Sequence, residues 1–235
     1  MRISKFFVVF SVLCLSFGIS HAQEPNVDTM AFKHYEVGLY ASLGASVFKG
    51  DVPNGSKTDV HFPAFGFGAT GIYSFHPYWG FALSLGYESR GMYFHKQDST
   101  GVTQDITLNY FSIAPSIKFK QFLLGVNINI PVGISQSYQG GNDVSPYEYK
   151  LAQGNMNTIV DIRAEGMLPI TENETGALYL ILNASYCLTS TIGGAGFNTI
   201  GSGTGNPQYQ PITNSPVPMA QIGFSYLFAP GGKTH

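Results

Sequence analysis

The fold is decided by residues 124–134, which read LGVNINIPVGI. Even-numbered positions in this stretch hold large apolar residues, and odd-numbered positions hold glycine, asparagine or proline, a pattern that Ser135 extends. Successive side chains of a β-strand point to opposite faces of the sheet, so a period of two predicts a strand with one apolar and one small or polar face.

Seven other segments have the same character, and none carries a sustained helical repeat. Each is longer than the roughly 9 to 11 residues that a tilted strand needs to cross a bilayer. Together they predict an all-β fold, an eight-stranded antiparallel up-and-down transmembrane β-barrel. The predicted strands are residues 36–47, 64–75, 79–94, 106–119, 124–135, 157–168, 178–189 and 217–228.

The connections between these segments are alternately tight and long. Outer-membrane barrels have short periplasmic turns and longer external loops, so the alternation indicates such a barrel with both termini in the periplasm. The tight connections are His76-Pro77, Lys120-Gln121 and Pro169 to Gly176. The long ones are Lys49 to His61, Lys96 to Asp105, Ser137 to Met156 and Ser190 to Pro216.

Composition favours the membrane over a soluble barrel. Only 11% of residues are charged, against roughly a quarter in a typical soluble domain. A lipocalin-like barrel would keep its polar face outside, but the second face here is mostly Gly, Ser, Ala, Asn and Thr. Such residues suit the narrow lumen of an eight-stranded barrel, so we expect the apolar face to contact lipid.

Aromatic residues cluster near the tight connections and predict a periplasmic girdle. Ordinary strand aromatics are the alternative interpretation. The girdle residues are Tyr73, Phe75, Tyr78, Trp79, Phe81, Phe119, Phe122, Tyr226 and Phe228.

Residues 1–22 have the features of a secretory signal. Arg2 and Lys5 precede an apolar run, and Ser20-His21-Ala22 form a small-x-small cleavage site. We expect cleavage after Ala22 and a mature barrel domain of residues 23–235 in the cell outer membrane. Cleavage leaves an acidic chain with no basic stripe for nucleic acid. It also leaves one cysteine, Cys187, which we interpret as core or lumen filler, with an intermolecular disulfide as the alternative.

Seven charged residues fall on the predicted lumen face: Glu36, Glu88, Arg90, Lys118, Asp161, Arg163 and Glu165. We place Glu88 and Arg90 near the outer end, the three residues of the sixth strand near mid-depth, and Glu36 and Lys118 near the periplasmic end. Buried charges persist where partners offset the loss of water. We therefore predict a salt-bridged plug, with a gated path for ions or small solutes as the alternative.

Catalysis and cofactor binding have weak support. Gly66, Gly68 and Gly71 satisfy G-x-G-x-x-G, but they lie inside a predicted strand rather than between a strand and a helix. His61 and His95 lie near Asp59 and Asp98, with Ser99 and Thr100 close by. A surface lipid hydrolase is thus conceivable, but no spacing matches a nucleophile and base arrangement. We predict no enzyme, metal or cofactor.

The long connections are the better candidates for recognition. Tyr138, Tyr147 and Tyr149 lie among glycine and asparagine, a composition typical of adaptable contact surfaces. It is equally typical of a solvated loop.

Residues 108–119, LNYFSIAPSIKF, resemble the L-N-Y-x-x-I-P strand of PorT-like proteins, within the small outer-membrane barrels of the OmpX and OmpA type. Tyr87-Glu88-Ser89-Arg90-Gly91 is similar to that family's Y-S-x-K/R-G strand end. The resemblance implies an eight-stranded membrane barrel without cofactor, some members of which are tied to protein secretion. The last strand is similar to the signature that barrel-assembly machinery recognises, although Ala229 to His235 follow it.

Three functions stay open from the sequence. The first is a structural or surface-interaction module that acts through its long external loops on a protein partner. The second is a narrow passive channel, and the third is the lipid hydrolase. Outer-membrane lipid and the assembly machinery are the other expected partners.

Overall fold

The structure, a computed structural model, describes residues 34–50, 56–96, 103–139, 147–150, 156–173, 175–192 and 216–229. The predicted signal, residues 1–22, lies outside the described residues, as do most of the tail and much of each long connection. Nine strands occur in the described part of the chain: β1 (His34–Val47), β2 (Ser56–Ser74), β3 (Trp79–Lys96), β4 (Thr103–Phe119), β5 (Phe122–Gln139), β6 (Tyr147–Lys150), β7 (Ile159–Asn173), β8 (Gly176–Cys187) and β9 (Met219–Phe228).

Eight of these strands form a closed antiparallel ring. Neighbouring strands pair in the order β1, β2, β3, β4, β5, β7, β8, β9, and β9 pairs back onto β1. The short strand β6 pairs with the end of β5 from Ser135 to Tyr138 and lies outside the ring. The predicted eight-stranded up-and-down barrel is confirmed, with β6 as an addition that the sequence pattern did not indicate.

The two faces of the barrel differ as the alternation predicts. Leu39, Leu124 and Phe224 point outward and are 65%, 61% and 56% exposed, whereas Asn127 and Ser225 point into the barrel and are buried. The exterior is therefore an apolar band, and the polar side chains of the strands point into the lumen. Within the described residues, no helix has the length and apolar character needed to cross a membrane.

Aromatic rings cluster at the tight-turn end of the exterior. Trp79 lies 4.6 Å from Phe119 between ring centroids, and Tyr226 lies the same distance from Phe228. Tyr35, which the sequence analysis did not include, stacks on Tyr73 at 4.7 Å. The contact of Trp79 with Phe119 joins β3 to β4, and that of Tyr35 with Tyr73 joins β1 to β2, as expected of a girdle.

The alternation in β5 does not run unbroken through Ser135, and here the sequence-based prediction was wrong. Asn109 of β4 pairs with Gly133, but the next residue, Tyr110, pairs with Pro131, so Val132 is an extra residue in the ladder. A β-bulge of this kind reverses the facing of the residues that follow it. Ile134 consequently points inward and is 4% exposed, whereas Ser135 is exposed.

The turn predicted at Pro169 to Gly176 is also wrong in extent. Strand β7 continues to Asn173, with a register irregularity between Pro169 and Thr171 that accommodates the missing proline N–H. The side-chain oxygen of Asn173 accepts hydrogen bonds from the backbone nitrogens of Thr175 and Gly176, at 3.0 and 2.9 Å. This Asx turn closes the hairpin, so the connection is much tighter than predicted.

Strands β2 to β5 are longer than predicted and contain 17 to 19 residues, whereas β9 contains 10. Strand β2 begins at Ser56, inside the connection predicted from Lys49 to His61. Tight turns anchor the other ends of these strands at one rim, so the additional residues project from the long-loop end. Together with β6 they form a sheet on one side of the barrel. We call this sheet the wall; it consists of β6 and the long-loop ends of β2 to β5.

Candidate functional site

The lumen is divided into three layers along its length. Strand β3 shows the order: Ala82 is followed by Ser84, Glu88 and Arg90, and then by Met92 and Phe94. Strand β7 repeats it in the opposite direction, because the two strands run antiparallel in the ring. On both strands, polar and charged residues therefore lie between an apolar stretch at the turn end and an apolar stretch at the loop end. Together they form one polar layer between two apolar layers.

The loop-side apolar layer is a buried cluster beneath the long connections: Phe48, Met92, Phe94, Ile106, Leu108, Tyr110, Ile134, Met156, Ile159, Cys187, Ile192 and Val217. The turn-side apolar layer contains Ile72, Ala82, Leu123, Met167, Ile181 and Leu227. Between them lies the polar layer, whose charged members are Glu88, Arg90, Asp161, Arg163 and Glu165. Large apolar side chains therefore fill the barrel at both ends of the charged region.

Arg90 is the centre of the polar layer and has no exposed surface. Its Nη2 donates to Glu88 on the same strand and, at 2.6 Å, to Asp161 Oδ2 on β7. Its Nη1 donates to the backbone oxygen of Val217 at 3.2 Å. Arg90 thus joins three parts of the ring, and Asp161 lies beside Arg90 rather than deeper in the barrel as the sequence suggested.

Two asparagines of β5 complete this cluster. Asn127 Nδ2 donates to Glu88 Oε2 at 3.1 Å, and Asn129 Nδ2 donates to Asp161 Oδ2 at 2.9 Å. Ser112 donates to Asn127 Oδ1 at 2.5 Å. The sequence analysis placed both asparagines on the small face of the quoted stretch but assigned them no partner. Their spacing of two residues on the face predicted to point into the lumen was the available signal.

The other charged lumen residues form two separate pairs. Arg163 donates to Glu165, and the Arg163 guanidinium lies 6.0 Å from the centre of the Tyr40 ring. Near the tight-turn rim, Lys118 Nζ donates to Glu36 Oε2 at 3.4 Å and to Ser74 Oγ at 3.3 Å. The structure therefore divides the seven sequence-predicted lumen charges into a buried three-residue cluster, a buried pair and a partly exposed rim pair.

Several buried polar atoms in and beside the polar layer have no hydrogen-bond partner in the described part of the chain. Three of them are oxygens close to the Arg90 cluster or within it, namely Asp161 Oδ1, Asn129 Oδ1 and Tyr110 Oη. Arg90 Nε and Arg163 Nε are similarly unpartnered. Buried polar groups are nearly always satisfied by protein or ordered water, so these atoms are candidates to bind a water molecule or an ion.

The histidines considered for catalysis each contact an aspartate. His61 Nε2 lies 3.0 Å from Asp105 Oδ1, and His95 Nδ1 lies 2.8 Å from Asp59 Oδ2. Asp98, Ser99 and Thr100 lie outside the described residues. Ser46 is opposite His61 in the ladder, but its Oγ is hydrogen-bonded to the backbone of Gly91.

The remaining candidates are placed as follows. Tyr138, Tyr147 and Tyr149 lie on paired segments of β5 and β6, and their side chains fall outside the described residues. Cys187 is buried in the loop-side apolar layer as a free thiol. The described part of the chain has no group of three or more histidine, cysteine or acidic side chains arranged to hold a metal ion.

Residues 21–186 match the family described as outer membrane protein beta-barrel domain. The chain belongs to this family. An outer-membrane barrel of this kind sits in the lipid bilayer of a Gram-negative outer membrane, so its apolar exterior faces lipid. No curated protein matches the sequence.

Solved structures of small outer-membrane proteins align over most of the barrel at low identity. The attachment invasion locus protein Ail of Yersinia pestis, in complex with the heparin analogue sucrose octasulfate, is 14% identical; the match covers 83% of this chain and 99% of that one, with a TM-score of 0.37. OprG from Pseudomonas aeruginosa is 13% identical over 84% and 97%, with a TM-score of 0.34. Neisserial surface protein A is 6% identical over 81% and 95%, with a TM-score of 0.33.

Proposed function

We propose that this outer-membrane barrel is closed to solutes and acts through its external surface, as an interaction module for a protein partner. The filled lumen is the observation that carries the proposal. Leu108 and Ile106 of the loop-side apolar layer have no exposed surface, and Ile181 and Leu227 of the turn-side layer are each 1% exposed. A hydrated path would have to cross both layers.

The charged cluster acts in this proposal as a plug. Arg90 connects β3 to β7 through Asp161 and to the segment before β9 through Val217. An eight-stranded barrel leaves little space beyond its own side chains. A passive channel would therefore require the cluster and at least one apolar layer to rearrange together.

The wall supplies the interaction surface. With the short turns assigned to the periplasm, β2 to β5 extend above the outer leaflet on one side of the barrel. Among the described residues, Ser56 to Asp59 of β2 pair with β3 only, so the edge toward β1 keeps its backbone groups free for a partner strand. Extended peptides add to sheet edges of this kind.

The geometry of the His61 and Asp105 pair does not support catalysis, because His61 is 4% exposed and does not meet a substrate. His95 is partly exposed beside Asp59, but this pair alone supplies no nucleophile. We infer that His61 and Asp105 instead link β2 to β4 at the base of the wall. We also infer that the chain lies near PorT-like barrels within its family, because residues 108–119 resemble that motif, with Ala114 inserted between Ile113 and Pro115.

A photoreactive amino acid placed in turn at Tyr138, Tyr147 and Tyr149 tests the proposal in intact cells. We expect a protein adduct from at least one of these positions, because they lie on the projecting wall. Tyr35, which is 60% exposed in the girdle at the opposite rim, is the matched control and should yield lipid adducts only. Protein adducts absent from all three wall positions, with correctly folded barrel in the membrane, would contradict the proposal.

A further inference from the structure

The polar layer carries one more negative charge than positive charge. Among the described residues it contains the carboxylates of Glu88, Asp161 and Glu165 and the guanidiniums of Arg90 and Arg163. All five residues are at most 6% exposed. An uncompensated charge in a poorly hydrated interior costs several kcal/mol, so the excess calls for a positive partner.

Three oxygens at this cluster have no hydrogen-bond partner among the described residues. Asp161 Oδ2 is occupied by Arg90 and Asn129, and the Cys187 thiol lies beside the same carboxylate, whose Oδ1 is one of the three. Asn129 Nδ2 donates a hydrogen bond to Asp161, and Asn129 Oδ1 is the second of the three oxygens. The Tyr110 ring packs against the Arg90 guanidinium at 5.8 Å, and its hydroxyl oxygen has no partner either. Asp161, Asn129, Tyr110 and Arg90 have no exposed surface.

We propose that the polar layer binds one monovalent cation, coordinated by the carboxylate of Asp161, the side-chain amide oxygen of Asn129 and the hydroxyl of Tyr110. Carboxylate, amide and hydroxyl oxygens are the ligands that hard cations prefer. The ion balances the one excess charge. It also satisfies three oxygens at once, whereas a single proton joins only two.

A divalent ion fits the layer less well. It would convert an excess of one negative charge into an excess of one positive charge, next to the Arg90 guanidinium. Calcium sites in proteins usually include several carboxylate oxygens, and only one of the three oxygens here belongs to a carboxylate. The charge balance and the mixed ligand set both favour a monovalent ion.

Refolding the complete barrel in detergent tests the site, because the closed lumen takes up the ion as the barrel forms. Urea unfolding would be compared in potassium chloride and in N-methyl-D-glucamine chloride at equal ionic strength and pH. We expect the folding equilibrium constant to be at least about tenfold larger at 300 mM potassium, since a ligand that binds only the folded state stabilises it by mass action.

The variants separate this site from a general salt effect. Asp161→Asn removes the excess charge and Tyr110→Phe removes one ligand, so we expect the first to abolish the potassium effect and the second to reduce it severalfold. Glu36→Gln makes the same change of charge at the rim and should leave the effect intact. Should Asp161→Asn fail to fold, Tyr110→Phe and the wild-type barrel still decide the question.

Crystals grown with rubidium give the direct observation. An anomalous peak between Asp161, Asn129 and Tyr110 supports the site. The inference is overturned if the wild-type barrel shows no difference between potassium and N-methyl-D-glucamine and no rubidium peak. It is equally overturned if calcium alone stabilises the barrel, or if stability follows pH and not potassium, which would identify a proton as the balancing charge.

Discussion

Replacing Arg90 with methionine is expected to destabilise the barrel by about 3–5 kcal/mol, the usual cost of removing one partner from a buried ion pair. Methionine fills a similar length of the lumen, so the loss is mainly electrostatic. It leaves the carboxylates of Glu88 and Asp161 facing each other without the guanidinium that both contact. Urea unfolding in lipid vesicles, followed by heat-modified gel mobility, measures the change.

Two further sets of substitutions serve as controls for Arg90→Met. Lys118→Met removes the cation of the partly exposed rim pair, where Lys118 and Glu36 are 3.4 Å apart, and should cost about 1 kcal/mol or less. Adding Glu88→Gln and Asp161→Asn to Arg90→Met removes the unpaired charges and should recover a large part of the loss. A cost for Arg90→Met no greater than for Lys118→Met would show that the cluster does not hold the ring together.

Replacing Leu39 with arginine is expected to destabilise the inserted barrel by about 2–4 kcal/mol, because the cation would enter the hydrocarbon core. Leu39 is 65% exposed on the exterior of β1 and pairs with Ala69 and Tyr226. In a water-soluble protein, an arginine at so exposed a position would change stability little. The free energy cost of the substitution therefore shows whether lipid or water surrounds the exterior. Unfolding from vesicles measures this cost.

Val60→Arg is the matched control for Leu39→Arg. Val60 is similarly exposed, at 59%, but it lies on β2 where the last pairing with β1 occurs, toward the long-loop end. The cost of a cation falls to about 0–1 kcal/mol near the interface. Equal costs at the two positions would contradict the depth that we assign to Leu39.

The sequence predicted the architecture because a two-residue period is a local property of each strand. Facing, strand number and strand order all follow from it in an up-and-down barrel. It failed where the ladder contains an extra residue: nothing in VGIS distinguishes Val132 as a bulge, and the reversal at Ile134 depends on pairing with β4. The turn before Gly176 failed for a related reason, since Pro169 is tolerated within β7 by an irregular register.

The lumen was predicted in its charges but not in its layers. The alternation of facing along each strand placed Glu88, Arg90 and Asp161 inside the barrel. Which carboxylate contacts Arg90 depends on how far each strand is staggered against the next. The loop-side layer was missed because every lumen-facing residue was expected to be small or polar. Residues 106–110 instead place large side chains at alternate positions of the lumen face. The signal for this layer was the run of even-numbered Ile106, Leu108 and Tyr110.

If both apolar layers and the charged cluster close the lumen, the purified barrel does not conduct. Planar-bilayer recording of the purified barrel, with insertion verified by protease protection in parallel vesicles, tests it most directly. The account predicts a current indistinguishable from that of protein-free lipid across the voltage range that the bilayer tolerates. Reproducible single-channel steps from the wild-type barrel, with an amplitude altered by Asp161→Asn, would contradict it and make the lumen a conducting path.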